Sequence, residues 1–185
     1  ILILTALFSS LVAGFLFAFA IVVMPGIKNL SDGEFIRAFQ EMDGIIQNNQ
    51  PLFMVMWGGS ILAIIISAIM GFWQLDSIGR VIMIIATLLY IFGVQFPTIT
   101  INVPLNNQLQ KLTTHSMSAD ELQIARSKFE PRWNQANIIR TGVATLVSVM
   151  LLSLLVMLSV PLACVGGVGA IVFSGGDVSL GSLVG

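Results

Sequence analysis

The sequence predicts an all-α, polytopic membrane protein: a four-transmembrane-helix bundle with two amphipathic loop helices on one face. Three observations carry this expectation. Of the 185 residues, 56% are hydrophobic and only 9% charged, too little charge to cover the surface of a soluble domain of this size. The charges are also unevenly placed, and three long segments hold none. Finally, four segments reach the roughly 20 apolar residues that a helix needs to cross about 30 Å of hydrocarbon.

The expected organisation is one transmembrane domain over residues 1–160 and a Gly-rich tail over 161–185. The lipid bilayer is the first partner, and a net charge of −1 gives no argument for nucleic acid as another. A single cysteine, Cys164, excludes an internal disulfide and any CxxC motif, and a single histidine, His115, excludes a multi-histidine metal site. His115 itself reads as a solvated loop residue.

The first span, about 1–24, is uncharged and runs to Pro25-Gly26, read as a helix stop. It has neither a charged head nor an Ala-x-Ala-like cleavage end, so it reads as a retained span. In the following loop, Ser31 and Glu34 have capping-box spacing. Phe35, Phe39, Met42 and Ile46 then recur at helical intervals. This amphipathic helix, acidic on its polar face (Asp32, Glu34, Glu41, Asp43), reads as a lid or docked cap.

The second span, about 52–75, starts after Pro51 and carries Trp57 and Trp73 near its ends, where indoles favour the membrane interface. Small residues form ladders in the first span (Ser10, Gly14, Ala18) and the second (Gly59, Ala63, Ser67, Gly71). Both are read as packing inside the bundle, because small side chains let membrane helices approach closely. A short connection around Asp76–Arg80 makes spans two and three an antiparallel hairpin.

The third span, about 81–101, holds Tyr90, whose hydroxyl needs a partner, and also Gln95 and Pro97. The polar region after it, 102–137, contains a second capping box at Ser118 and Glu121. The helix it starts is expected to run to about Phe129 and to be interrupted by Pro131. Leu122, Ala125 and Phe129 share one face, so the two loop helices are expected together over the same end of the bundle.

The fourth span, about 141–160, is reached through Arg140. Lys28, Arg37, Lys111, Arg126, Lys128, Arg132 and Arg140 lie in loops one and three, against Arg80 alone on the other side. The positive-inside rule places those two loops in the cytoplasm; the expected location is a bacterial inner (plasma) membrane. The tail from Pro161, with seven glycines from Gly166 onward, reads as a flexible segment or an apolar strap.

Two polar stretches return to the same membrane face. In the first, Gln95 is an amide within the membrane region, Pro97 frees a carbonyl, Asn102 resembles an N-cap before Pro104, and Asn106 follows one turn later. In the second, Trp133, Asn137 and Arg140 are spaced four and three apart and share a helix face. The residues alone leave two readings open. The amides cap a helix break while Arg140 snorkels beside a belt tryptophan. Alternatively, Arg140 and the asparagines stabilise an oxyanion or enolate in a cavity. Glu41 and Asp43, two apart on a helix, make a poor metal pair. No phosphate loop, nucleophile elbow or zinc motif is present.

Four features together resemble the DUF1772 or anthrone oxygenase-like family of four-span membrane proteins. They are Pro25-Gly26, Asn48-Asn49-Gln50-Pro51, the Asn-x-Pro-Leu-Asn motif at Asn102–Asn106, and the Trp-x3-Asn-x2-Arg motif at Trp133–Arg140. The resemblance covers about Ile1 to Leu158 and leaves out the tail. It implies oxidation of an anthrone-like polycyclic phenol to a quinone by molecular oxygen, through a stabilised carbanion or enolate and without a bound metal or other cofactor. On that reading Arg140, Asn137 and Asn102 are the catalytic residues. Asn106, Trp133, Gln95 and Asn48 bind an apolar aromatic small molecule. The competing reading is a non-enzymatic accessory or scaffold subunit, forming a homo-oligomer or part of a larger membrane complex. Transport lacks support, since no charge is evident within the membrane and no inverted repeat is seen.

Overall fold

The computed structural model describes the backbone of residues 1–173 and the side chains of residues 1–159. Among the described residues there are five helices: α1 (Leu2–Ile27), α2 (Asp32–Gln47), α3 (Pro51–Gln74), α4 (Ser77–Gln110) and α5 (Ala119–Phe173). One 3-10 turn, Thr114–Ser116, lies between α4 and α5. All but α2 are long and apolar enough to cross a membrane. α2 docks across one end of the four-helix bundle, against α4 and the first turns of α5.

Local chemistry fixes the helix starts. The Glu34 carboxylate accepts from the Ser31 amide (3.1 Å) and hydroxyl (2.6 Å). The hydroxyl bond first, then the amide, holds this exposed acid below the ordinary carboxylate range. Glu121 closes the same box on Ser118 at the start of α5. Asn49, at φ 58°, makes the turn before α3, and Gln50 caps it by accepting from the Phe53 amide at 2.6 Å with Pro51 as first helical residue. Asp76 caps α4 by accepting from the Gly79 amide at 2.8 Å, which closes the expected α3–α4 hairpin.

Several expected helix ends are absent. α1 does end at Ile27, one residue past Pro25-Gly26, but α4 runs unbroken through Pro97 and Pro104, and α5 runs unbroken through Pro131. Asn102 is therefore not an N-cap; its backbone is helical. In α1 and α4 the prolines are absorbed by π turns at Phe19–Val23, Ile91–Gln95 and Thr98–Asn102. Each ends two residues before a proline, at Pro25, Pro97 and Pro104. Each contains a bond from residue i to the amide at i+5. The wider turn takes up the register that a residue without an N–H would break. At Pro131, Phe129 and Trp133 are buried on either side. Burying large side chains at about 1.5–3 kcal/mol each offsets the roughly 3 kcal/mol cost of an interior proline. The boundary expected at residue 160 is likewise not a helix end, because α5 continues to Phe173; the rest of the expected tail, 174–185, lies outside the described residues.

Two apolar cores result. One fills the bundle between Val12, Leu16, Ile64, Met83, Tyr90, Val94, Val147 and Leu151. The other, beneath α2, joins Met24, Phe35, Ile36, Phe39, Leu105, Leu109, Phe129 and Trp133. The two loop helices therefore meet as the sequence suggests. The small-residue ladders divide. Ala63, Ser67 and Gly71 are buried, and Gly59 lies against Phe8. In α1 the buried small face is instead Thr5, Ala6, Ser9 and Ala13, while Gly14 and Ala18 face outward. Thr5 donates to the Ala63 carbonyl at 2.9 Å and lies 2.7 Å from Ser67 Oγ. The Tyr90 hydroxyl finds its partner in Ser60 Oγ at 2.6 Å.

Arg126 pins the linker between α1 and α2 to α5. It donates to the carbonyls of Lys28 (2.6 Å) and Leu30 (2.9 Å), pairs with Asp32 and Glu130, and covers the Phe35 ring at 4.3 Å. Bonds to a charged group contribute about 1.5–3 kcal/mol. Arg126→Ala is expected to speed amide exchange across residues 28–36 at least several-fold, with the spans unchanged, as read by hydrogen–deuterium exchange.

At the α4–α5 crossing, a Cβ on Gly93 would lie 2.7 Å from Val143 Cγ1. Gly93→Ala is therefore expected to destabilise the bundle by about 1–3 kcal/mol. Adding Val143→Ala should recover much of that, as read by thermal unfolding in detergent.

Candidate functional site

At the end of the bundle covered by α2, a cavity of about 380 Å³ lies among α1, α2, α3, α4 and α5. Its size falls within the range of about 300–1,000 Å³ usual for small-molecule sites. Six aromatic side chains form a continuous chain along its wall, in the order Trp57, Phe53, Phe15, Phe19, Trp133, Phe39. Successive ring centroids are 5.5, 5.3, 4.9, 5.7 and 5.4 Å apart. Polar groups break this wall at Asp43, Thr98, Asn102, Asn106, Asn137 and Arg140.

Arg140 is 3% exposed. Of the two placements the sequence leaves open, at the interface or inside, the structure has it inside the bundle. Its Nη1 donates to Thr98 Oγ1 at 2.8 Å, and its Nη2 donates to Asn137 Oδ1 at 3.0 Å. The guanidinium carbon sits 6.0 Å from the centre of the Trp133 ring. Among the described residues both ion pairs belong to Arg126, so Arg140 has no carboxylate partner. A buried, unpaired cation is costly to maintain, and here its donors are directed by neutral oxygens.

Asn137 donates from Nδ2 to the Leu16 carbonyl at 3.2 Å, so the same side chain that orients Arg140 also ties α5 to α1. Asn102 donates to the Trp133 carbonyl at 3.3 Å. Asn106 accepts from Trp133 Nε1 at 2.8 Å and donates to Asp43 Oδ1 at 2.7 Å. Asn102 Oδ1 and Arg140 Nε are buried without a partner. Buried polar atoms are rarely left so, and both residues line the cavity.

The structure thus brings Arg140, Asn137, Asn102, Asn106 and Trp133 to one cavity. Gln95 stands one layer behind the wall: its Oε1 accepts from Trp57 Nε1 at 3.0 Å, and its Nε2 is buried and unpartnered. Asn48 is not part of the site. It is exposed at the end of α2 and borders a separate surface depression with Gln40 and Gln110. Asn48-Asn49-Gln50-Pro51 serves as turn and cap instead.

Two further expectations need correction. Trp57 is not an interfacial belt residue but part of the cavity wall, turned inward by its bond to Gln95. Asp43 does not share the exposed acidic face of α2. It is 4% exposed and accepts from Gln47 (2.6 Å), Asn106 (2.7 Å) and Gln110 (3.0 Å). The signal for Asp43 was its spacing, since it lies four residues after the buried Phe39 and eight after the buried Phe35. Phe15, Phe19 and Phe53 have no such signal, because phenylalanine on a membrane helix reads equally as lipid-facing. Among the described residues no three His, Cys, Asp or Glu side chains cluster as metal ligands would.

The cavity edge is mixed. Met54 and Val103 are exposed on its apolar side, whereas Gln47 and Asn107 are exposed on its polar side. Chemically, the arrangement offers a flat aromatic slot with hydrogen-bond donors fixed at one place, suited to an apolar ring system that carries or develops negative charge on oxygen.

Comparison with known proteins agrees with this description of the chain. Neither curated proteins nor solved structures include a match to it. The family model described as anthrone oxygenase matches residues 52–151, more than half of the sequence, including the α4 and α5 segments that carry Asn102, Asn106, Asn137 and Arg140. The chain belongs to the anthrone oxygenase family.

Proposed function

We propose that the protein is a membrane-embedded oxygenase that converts an anthrone-like substrate to the corresponding quinone with molecular oxygen. The observation that carries this reading is the buried guanidinium of Arg140, without a carboxylate partner, at the polar end of an aromatic cavity. The family match supports the class of substrate. In the overall reaction the ring methylene loses two hydrogens and gains one oxygen atom from O2, and the second oxygen atom leaves as water. The carbon gives up four electrons and O2 accepts them.

In this reading the tricyclic substrate lies along the aromatic wall with its carbonyl oxygen toward Arg140. Loss of a methylene proton places negative charge on that oxygen. Arg140, oriented by Thr98 and Asn137, stabilises it more strongly than it stabilises the neutral ketone, which is the differential binding that lowers a barrier. Asn102 offers its unpartnered Oδ1 to a substrate hydroxyl, and Trp133 stacks on the rings. Exposed Met54 and Val103 at the rim suit a substrate arriving from the bilayer. The excess of Lys and Arg in loops one and three supports a cytoplasmic capped end. The accessory-subunit reading retains one observation of its own, the outward Gly14 and Ala18, and predicts a stable membrane partner without turnover.

The test is oxygen uptake and quinone formation by protein purified in mild detergent and supplied with anthrone, against the uncatalysed oxidation. Turnover is expected. Arg140→Met should lower kcat by about 10²–10³-fold, the usual loss for a removed oxyanion donor. Arg140→Lys should recover only part, since it keeps charge but lacks the planar fork. Wild-type protein that neither binds anthrone nor exceeds the background rate would overturn the reading.

A further inference from the structure

The negative partner of this chemistry lies in the same cavity. Among the described residues Asp43 is the one carboxylate on the wall, and nothing in the family comparison points to it: the match begins at residue 52. Asp43 is 4% exposed and, like Arg140, forms no ion pair among the described residues. Its carboxylate is held by three neutral amides. Gln47 and Gln110 donate to Oδ2, and Asn106 donates to Oδ1. A carboxylate offers about four lone-pair sites. Two are used on Oδ2 and one on Oδ1, so Oδ1 keeps one acceptor site.

We propose that Asp43 is the proton acceptor of this site, taking the methylene proton of the bound anthrone while Arg140 receives the charge that develops on its oxygen. The inference rests on the oxygenase reading above. The step balances: the C–H bond breaks, its electron pair enters the ring system as an enolate, and the proton forms an O–H bond to Asp43. No oxidant takes part until O2 meets the enolate.

Several observations favour this role over a purely structural one. A carboxylate serving only to anchor α2 is not required, because Gln40 already clasps α4 by donating to the carbonyls of Leu109 (2.8 Å) and Leu112 (3.0 Å). Trp133 is linked to Asp43 through Asn106, whose Oδ1 accepts from Trp133 Nε1 and whose Nδ2 donates to Asp43. The ring read as the stacking platform is therefore coupled to the acid. An aspartate and an arginine unpaired in one cavity are together neutral before substrate binds. Proton transfer then protonates the aspartate and leaves an enolate facing Arg140.

The experiment separates proton transfer from oxidation by removing oxygen. Wild-type protein, anaerobic in deuterated buffer, is mixed with anthrone, and exchange of its methylene hydrogens is followed by NMR. Binding is read in parallel from quenching of tryptophan fluorescence, since Trp57 and Trp133 line the cavity. Wild type is expected to accelerate exchange. Asp43→Asn should lower that acceleration about 10²-fold or more, the scale of a lost general base, with binding changed less than about threefold. Its neighbours are amides that can turn to meet the new side chain.

Asp43→Asn that binds and exchanges like wild type overturns the assignment while leaving the oxygenase reading intact. Wild type that neither binds nor oxidises anthrone overturns both. If Asp43→Asn does not fold, Asp43→Glu decides. Exchange that is slowed but still catalysed supports the role, and binding with only the uncatalysed rate overturns it.

Discussion

Arg140 is the constraint around which the end of the bundle is arranged. A guanidinium without a counter-ion among apolar helices is tolerated only where fixed dipoles receive its donors. Thr98 on α4 and Asn137 on α5 do this, and Asn137 passes the connection on to α1 through the Leu16 carbonyl. Three of the four spans are thereby positioned by one polar network. The cavity is the space that remains between that network and the aromatic residues facing it. The site and the helix packing at this end are consequently the same structure.

The cap completes it. α2 contributes Phe39 to the aromatic wall and Asp43 to the polar lining, and its amides interlock with those of α4. Phe35 and Phe39 bury against Phe129 on the first turns of α5. This is why α5 stays helical through Pro131: ending it there would separate Phe129 from Trp133, and the cap would lose the surface on which it rests.

Much of this was legible in the sequence. Apolar length gave the four spans, capping boxes gave the starts of α2 and α5, and the spacing of Trp133, Asn137 and Arg140 placed them on one face. What was not legible depended on partners distant in sequence. Asn102 resembles a cap because an asparagine before a proline usually is one, and only the π turns keep it inside a continuous helix. Trp57 resembles a belt residue until Gln95 is seen to hold its indole. Composition groups Asp43 with Glu41, although helical periodicity sets it with the buried Phe35 and Phe39. The motif that suggests Asn48 for the site makes a turn and a helix cap instead. The outward Gly14 and Ala18 show that a ladder of small residues marks a close approach only when another helix faces it.

The two π turns of α4 have a consequence for how the cavity lining is encoded. Each holds one residue more than an α-helical turn, and an α-helix advances about 100° per residue. A span of the same composition but one residue shorter would be equally apolar and would cross the bilayer equally well. It would nevertheless turn Thr98 and Asn102 by about 100° relative to the helix before them and break the bond from Arg140 to Thr98. The shape of the cavity at this end of the molecule is thus written partly as a count of residues, independent of which side chains fill the positions between.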